Sequence, residues 1–276
     1  MIELLRELFS YNFIVRALLV GSLVSLCSAL LGVNLVLKRY SMIGDGLSHV
    51  GFGSLAVAMA MGLAPLQVSI PVVVLAAFLL LRLSESSKIK GDAAIALIST
   101  SALALGVLTI SATTGMNTDV CNFMFGSILA MSTGDVTLSL LMSAIVLVLF
   151  VFFYHRLFAV TFDEGFARAT GTPAGLYNML LAFLTAVTVV LGMRLMGAML
   201  ISSLIIFPAL TAMRVCKRFR SVVLVSAVLS VVCFWVGMVL SYVYATATGA
   251  TIVAVNLAAF LVFCLVGALQ RRRKAV

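Results

Sequence analysis

Asp45 and His49 stand four residues apart in Gly44-Asp-Gly-Leu-Ser-His49, inside a 276-residue chain that is 63% hydrophobic, 10% charged and holds only two histidines. In a helix that spacing places both side chains on one face, a turn apart. A carboxylate oxygen and an imidazole nitrogen on one face can bind a divalent metal ion. The same residue types can relay a proton, or form a hydrogen bond that locks two helices. Spacing alone leaves these three readings open. An ionisable side chain within a bilayer costs at least a few kcal/mol at the helix centre, so its presence asks for a function. Two protein ligands leave a tetrahedral metal site incomplete. A second subunit across a two-fold axis can supply another pair, and incomplete ligation suits a carrier that must release what it binds.

The elements that position this pair belong in a membrane. Mean hydropathy is +1.25, and apolar runs recur along nearly the whole chain. Each is about 20 residues, enough to cross a ~30 Å hydrocarbon layer as a helix that satisfies its own backbone. We expect an all-α polytopic transmembrane bundle, a single membrane domain over 1–276, with about nine spans and eight possible. The spans fall at 14–37, 43–63, 66–83, 93–112, 136–154, 175–193, 195–213, 221–245 and 252–269, with a tight link between 193 and 195. Glu3, Arg6 and Glu7 among apolar neighbours suggest a surface helix over 1–13. Asp92 is placed to cap the fourth span. Residues 113–135 read as an outer loop with a short surface or re-entrant helix.

The net charge of +9 lies in short loops: Lys38-Arg39, Lys88 with Lys90, Arg214 to Arg220, and Arg271 to Lys274. This is the signature of solvated cytoplasmic loops rather than of nucleic-acid binding. It puts the N-terminus outside and the C-terminus inside, with Arg194 the exception on the outer side. Five cysteines are scattered singly, without Cys-x-x-Cys, so no disulfide framework is expected. Cys121, close to Asp119, is a stray ligand candidate. His155, at the inner end of a span, reads as an interfacial residue.

A second segment with a pattern lies in the cytoplasmic loop 155–174. Asp163 and Glu164 stand where a helix would start, Gly171 where it would end, and Pro173 where it would stop. Phe162 and Phe166 are expected on one face of a short amphipathic helix. It is either an ordinary connection or a docking surface for a soluble partner, with phenylalanine anchors and a charged rim.

Taken in order along the chain, these stretches resemble the membrane permease of metal-ion ABC transporters, which supply zinc, manganese or iron to bacteria. The residues that carry the resemblance are Leu37-Lys-Arg-Tyr-Ser-Met-Ile-Gly-Asp-Gly-Leu-Ser-His49, Gly91-Asp-Ala-Ala-Ile95, and Phe125 to Ser132 with Asp135. Thr161 to Gly171 and Arg194 to Ala212 complete it. The resemblance implies that Asp45 and His49 lie on the transport path and contact the ion. It implies that the segment of Phe162, Asp163, Glu164, Phe166, Ala167, Arg168 and Gly171 docks onto an ATPase. It further implies two permeases, identical or paralogous, two ATPase subunits, an extracytoplasmic metal-binding protein and a bacterial cytoplasmic membrane.

No Gly-x-x-x-x-Gly-Lys-[Ser/Thr] element is present, so energy must come from a separate ATPase chain. No permanent cofactor is expected, only a transported ion. Zinc suits Asp plus His best, with manganese and ferrous iron next. A proton-coupled secondary carrier is the main alternative, although it would want more intramembrane carboxylates. An intramembrane metallohydrolase would want a third ligand and a general base.

Overall fold

Long apolar runs surrounded by lipid can bond only to themselves, and the described backbone is helical almost throughout. The computed structural model describes residues 12–85, 91–113 and 133–274. Its helices are α1 Asn12–Leu37, α2 Ile43–Ala60, α3 Pro65–Glu85, α4 Gly91–Ala112, α5 Thr133–Phe152, α6 Tyr154–Phe162, α7 Glu164–Ala169, α8 Ala174–Met196, α9 Ala198–Val215, α10 Phe219–Tyr244 and α11 Thr248–Lys274. Nine of these have 18 residues or more. Eight are apolar enough to cross a membrane by length and composition, and α2, which carries Asp45 and His49, is the one that is not.

The nine long helices follow the nine expected spans with shifted ends. Helix α4 starts at Gly91, so Asp92 lies inside its first turn instead of capping it. There its carboxylate still meets the positive end of the helix. The tight link becomes a single residue, Gly197, whose φ of 86° suits glycine and ends α8 one residue before α9 begins. The expected re-entrant helix and Cys121 lie outside the described residues. So does the expected surface helix, apart from residues 12 and 13, which belong to α1. Arg194, the basic residue that fitted the outer side poorly, forms an ion pair of 3.0 Å with Asp135 at the start of α5.

Helices α1 and α8 are the most enclosed spans, while α11 is the least. Helix α1 packs against α5, α8, α9 and α10, and α8 touches α1, α2, α3, α5 and α9. The site helix α2 lies against α4, α3, α8 and α9, and 13 of its 18 residues are buried. It reaches that position through glycine. A methyl group on Gly44 would lie 2.7 Å from Ile205 of α9, on Gly46 2.7 Å from Ile95 of α4, and on Gly51 2.8 Å from Met193 of α8. Without a hydrophobic drive between helices in lipid, close van der Waals packing of this kind, side chain onto glycine, holds them together.

The tightest part of this contact is the crossing of α2 and α4. A methyl on Gly53 would lie 2.5 Å from the Ala102 carbonyl oxygen, and one on Gly106 2.9 Å from Gly53 Cα. Backbone cannot swing aside as a side chain can. Gly53→Ala is therefore expected to destabilise the protein by about 1–3 kcal/mol, the usual cost of overpacking. Gly175→Ala, with no atom within 4 Å of the added methyl, is expected to be neutral or to stabilise by up to about 1 kcal/mol. Thermal unfolding of the two variants in detergent micelles checks the contrast.

Candidate metal site and cytoplasmic coupling segment

Helix α2 begins at Ile43, and its N-cap residue Met42 offers no side-chain oxygen to the free amides. Asp45 stands in that first turn, where the helix dipole favours negative charge. His49 follows one turn later, and its Nε2 is 3.6 Å from Asp45 Oδ2. That is too long for a hydrogen bond. It is close to the roughly 3.3 Å that separates two ligands of a tetrahedral ion with bonds near 2.0–2.1 Å. The other carboxylate oxygen, Oδ1, faces the Ser202 hydroxyl of α9 at 3.4 Å. Ser202 itself donates to the Ala198 carbonyl at 3.2 Å.

The pair is enclosed but not sealed. The side chains of His49 and Asp45 keep 25% and 42% of their exposure on a helix that is otherwise mostly buried. The three groups thus present oxygen and nitrogen donors to a partly open space. Among the described residues no group of three or more His, Cys, Asp or Glu could hold a metal ion. His155 is exposed and makes an edge-on ring contact with Tyr154, centroids 5.4 Å apart.

Reading the sequence places Asp45 and His49 together correctly and misses Ser202. A serine one turn into an apolar helix has no periodicity to mark it, and only the folded chain brings α9 to α2. The same reading treats Lys38 as part of a solvated loop, which the structure corrects. Its side chain is only 9% exposed; Nζ donates to Asn178 Oδ1 and lies 3.4 Å from Glu164 Oε2. A lysine stem can bury its methylenes, but its ammonium then needs partners.

The segment 154–172 holds two helices, α6 and α7, where one is expected. Asp163 adopts extended backbone, φ −147° and ψ 94°, and breaks the chain between α6 and α7. Its side chain accepts from the Phe166 amide at 2.9 Å, so it caps α7. Phe162 therefore ends α6, against Phe158 at 4.8 Å and Phe219 at 6.0 Å, while Phe166 projects from α7. Both rings stay more than 60% exposed. Ala167 is buried with Val160 and Ala174. Gly171, at φ 81°, closes the turn after α7, and Pro173 caps the next helix rather than ending this one. Glu164 accepts from Arg168 at 2.6 Å and from Asn178 at 3.1 Å.

With the geometry in place, the comparisons are consistent with it. The model of the ABC 3 transport family matches residues 10–267, and the chain belongs to that family. It is the membrane subunit of a transporter and not an enzyme, and ATP hydrolysis resides in a separate subunit. A probable iron transport system membrane protein of Haemophilus influenzae is 33% identical, covering 100% of this chain and 99% of that one. The high-affinity zinc uptake system membrane protein of the same organism is 30% identical over 88% of this chain and 93% of that one. Among solved structures, PsaBC from Streptococcus pneumoniae in complex with Fab matches with a TM-score of 0.85 at 30% identity, covering 95% of each chain.

Burial raises the Glu164 carboxyl, but the Asn178 amide, the Lys38 charge and the Arg168 guanidinium outweigh it and hold it below the usual carboxylate range. A depressed carboxyl stabilises the fold above its unfolded value, about 4.3 for glutamate, and that contribution is lost as pH falls through the folded value. The anchoring of α7 is thus expected to be constant from neutrality to about pH 5 and to weaken below about pH 4.3. Hydrogen exchange of the 164–169 amides against pH checks this, and Glu164→Gln should remove the dependence.

Proposed function

We propose that this chain is the membrane permease of an importer for a divalent transition metal ion, zinc first, then manganese or ferrous iron. Asp45 and His49 would contact the ion during its passage. The observation that carries this reading is the placement of α2. It is a long helix, 13 of its 18 residues are buried, and it carries a carboxylate oxygen and an imidazole nitrogen 3.6 Å apart. Membership of the ABC 3 transport family and relatives named for zinc and for iron support the class of cargo. Zinc is favoured because it accepts carboxylate and imidazole together and stands above iron and manganese in affinity for such donors.

In this reading the permease pairs with a second copy or a paralogue, with two ATPase subunits, and with an extracytoplasmic protein that delivers the ion. The exposed side of Asp45 is where a second permease can complete the ligand shell. Phe162 and Phe166 are the apolar anchors for the ATPase. Asp163, Glu164, Ala167, Arg168 and Gly171 shape and brace the segment that carries them. Closure of the ATPase dimer on ATP then pushes α7, and access to the Asp45/His49 site switches from outside to inside. The chain would lie in the bacterial cytoplasmic membrane, N-terminus outside and C-terminus inside, as its basic loops suggest.

The test is uptake of zinc, manganese and ferrous iron into liposomes holding the permease, its ATPase and its binding protein. Asp45→Ala and His49→Ala should each lower uptake of the cargo by at least about tenfold, the loss seen when even a supporting group of a metal site is removed, while the complex still assembles. Full uptake in both variants would make the pair a structural contact.

A further inference from the structure

The inner end of α1 is tied to the bend between α6 and α7 by two polar links. Asn34 Oδ1 accepts from Thr161 Oγ1 at 3.0 Å, and one turn later Lys38 reaches Glu164 and Asn178. Thr161 and Glu164 flank the Asp163 break. Lys38 therefore bridges the first residue of α7 and the first turns of α8.

On its other side Lys38 leads straight to the candidate site. Arg39, at φ 62°, closes α1, with the Tyr40 amide bonded to the Leu35 carbonyl at 2.8 Å and the Arg39 amide to Val36 at 3.1 Å. Ile43 bonds back to Tyr40 at 3.1 Å and Gly46 to Met42 at 3.0 Å. Asp45 is the third residue of α2. The link from Lys38 to Asp45 is thus short, a turn of five residues bridged by backbone hydrogen bonds at Arg39, Tyr40 and Ile43. A left-handed arginine is strained and persists only where its surroundings hold it.

We propose that Lys38, with Glu164 and Asn178, is the joint through which movement of α7 reaches the helix bearing Asp45 and His49. This rests on the importer reading above and assigns Lys38 a positioning role in transport, apart from ion binding. Coupling is carried by packed side chains and ion-pair networks that link one element to the next. The larger packing contacts of α7 are with α6 and α8, so Lys38 is a polar link from α7 towards α2.

Lys38→Met keeps the stem and removes the charge, and Glu164 retains Arg168 and Asn178. In liposomes holding the whole complex, Lys38→Met is expected to assemble, to bind zinc with unchanged affinity and to hydrolyse ATP. Zinc uptake per ATP is expected to fall about tenfold, a typical coupling loss. The reciprocal exchange Lys38→Glu with Glu164→Lys should restore much of it. Unchanged uptake per ATP overturns the proposal. So does a parallel fall of assembly, binding and hydrolysis, which would make Lys38 a structural clamp. If the unaltered complex carries no zinc, manganese or iron, the importer reading fails separately. The joint is then judged by spin labels at the exposed positions Val57 of α2 and Leu224 of α10. An ATP-dependent distance change lost in Lys38→Met upholds it, and a change that persists, or none in the unaltered complex, overturns it.

Discussion

A carboxylate and an imidazole cannot face hydrocarbon, and the arrangement of the other helices follows from that. Helix α2 carries that pair, and 13 of its 18 residues are buried against neighbouring helices. Four helices close around it, and its glycines make room for them: Ile205, Ile95 and Met193 seat their side chains on Gly44, Gly46 and Gly51, and Gly53 meets the backbone of α4. The order of causes runs from one costly pair, to an enclosed helix, to a glycine-rich surface on that helix. In water such a surface would waste the hydrophobic effect. In lipid, where apolar side chains gain nothing by leaving their surroundings, close packing is the main source of cohesion.

The segment 154–172 obeys different physics. Where water competes for polar groups, exposed ion pairs contribute little. The segment 154–172 is therefore shaped by local backbone devices: the Asp163 cap, the short α7 and the left-handed Gly171. Beneath it Val160, Ala167 and Ala174 form a small apolar cluster of their own, while Leu157 joins the main core. Two phenylalanines are left projecting, which is costly for a chain alone and reasonable for one that meets a partner. The segment is fastened to the bundle by Leu157 in the core, by Thr161 on Asn34 and by the buried Lys38, where shielding from water lets a charge matter.

Much of the bundle was legible in the sequence because hydrophobic length is a strong signal. The nine runs became nine long helices, and the Asp45/His49 spacing placed both on one face of one of them. What was not legible has a common cause: it depends on which helix lies beside which. Ser202 gains meaning only beside Asp45. Lys38 reads as a loop cation until α7 and α8 are seen to surround it, and Arg194 as a misplaced charge until Asp135 answers it. The start of α7 at Asp163 was legible from its capping residue, but α6 before it was not: one residue separates it from α5, and in the sequence it reads as the end of a span followed by a loop.

The looseness of the candidate site bears on what it can do. Asp45 meets Ser202 at 3.4 Å and His49 at 3.6 Å, both outside the range of a good hydrogen bond. Both groups stand on one helix and are partly exposed, so leaving the gap open does not carry the cost of an unmade buried hydrogen bond. A pair built to receive an ion has reason to leave it open. With only two strong donors and Asp45 partly exposed, the site is also shallow, and a shallow site is what a carrier needs on the side where it lets go. Tight, closed coordination would hold the ion and stop the cycle. An incomplete shell, finished and undone by movement of neighbouring elements, gives binding in one state and release in the other.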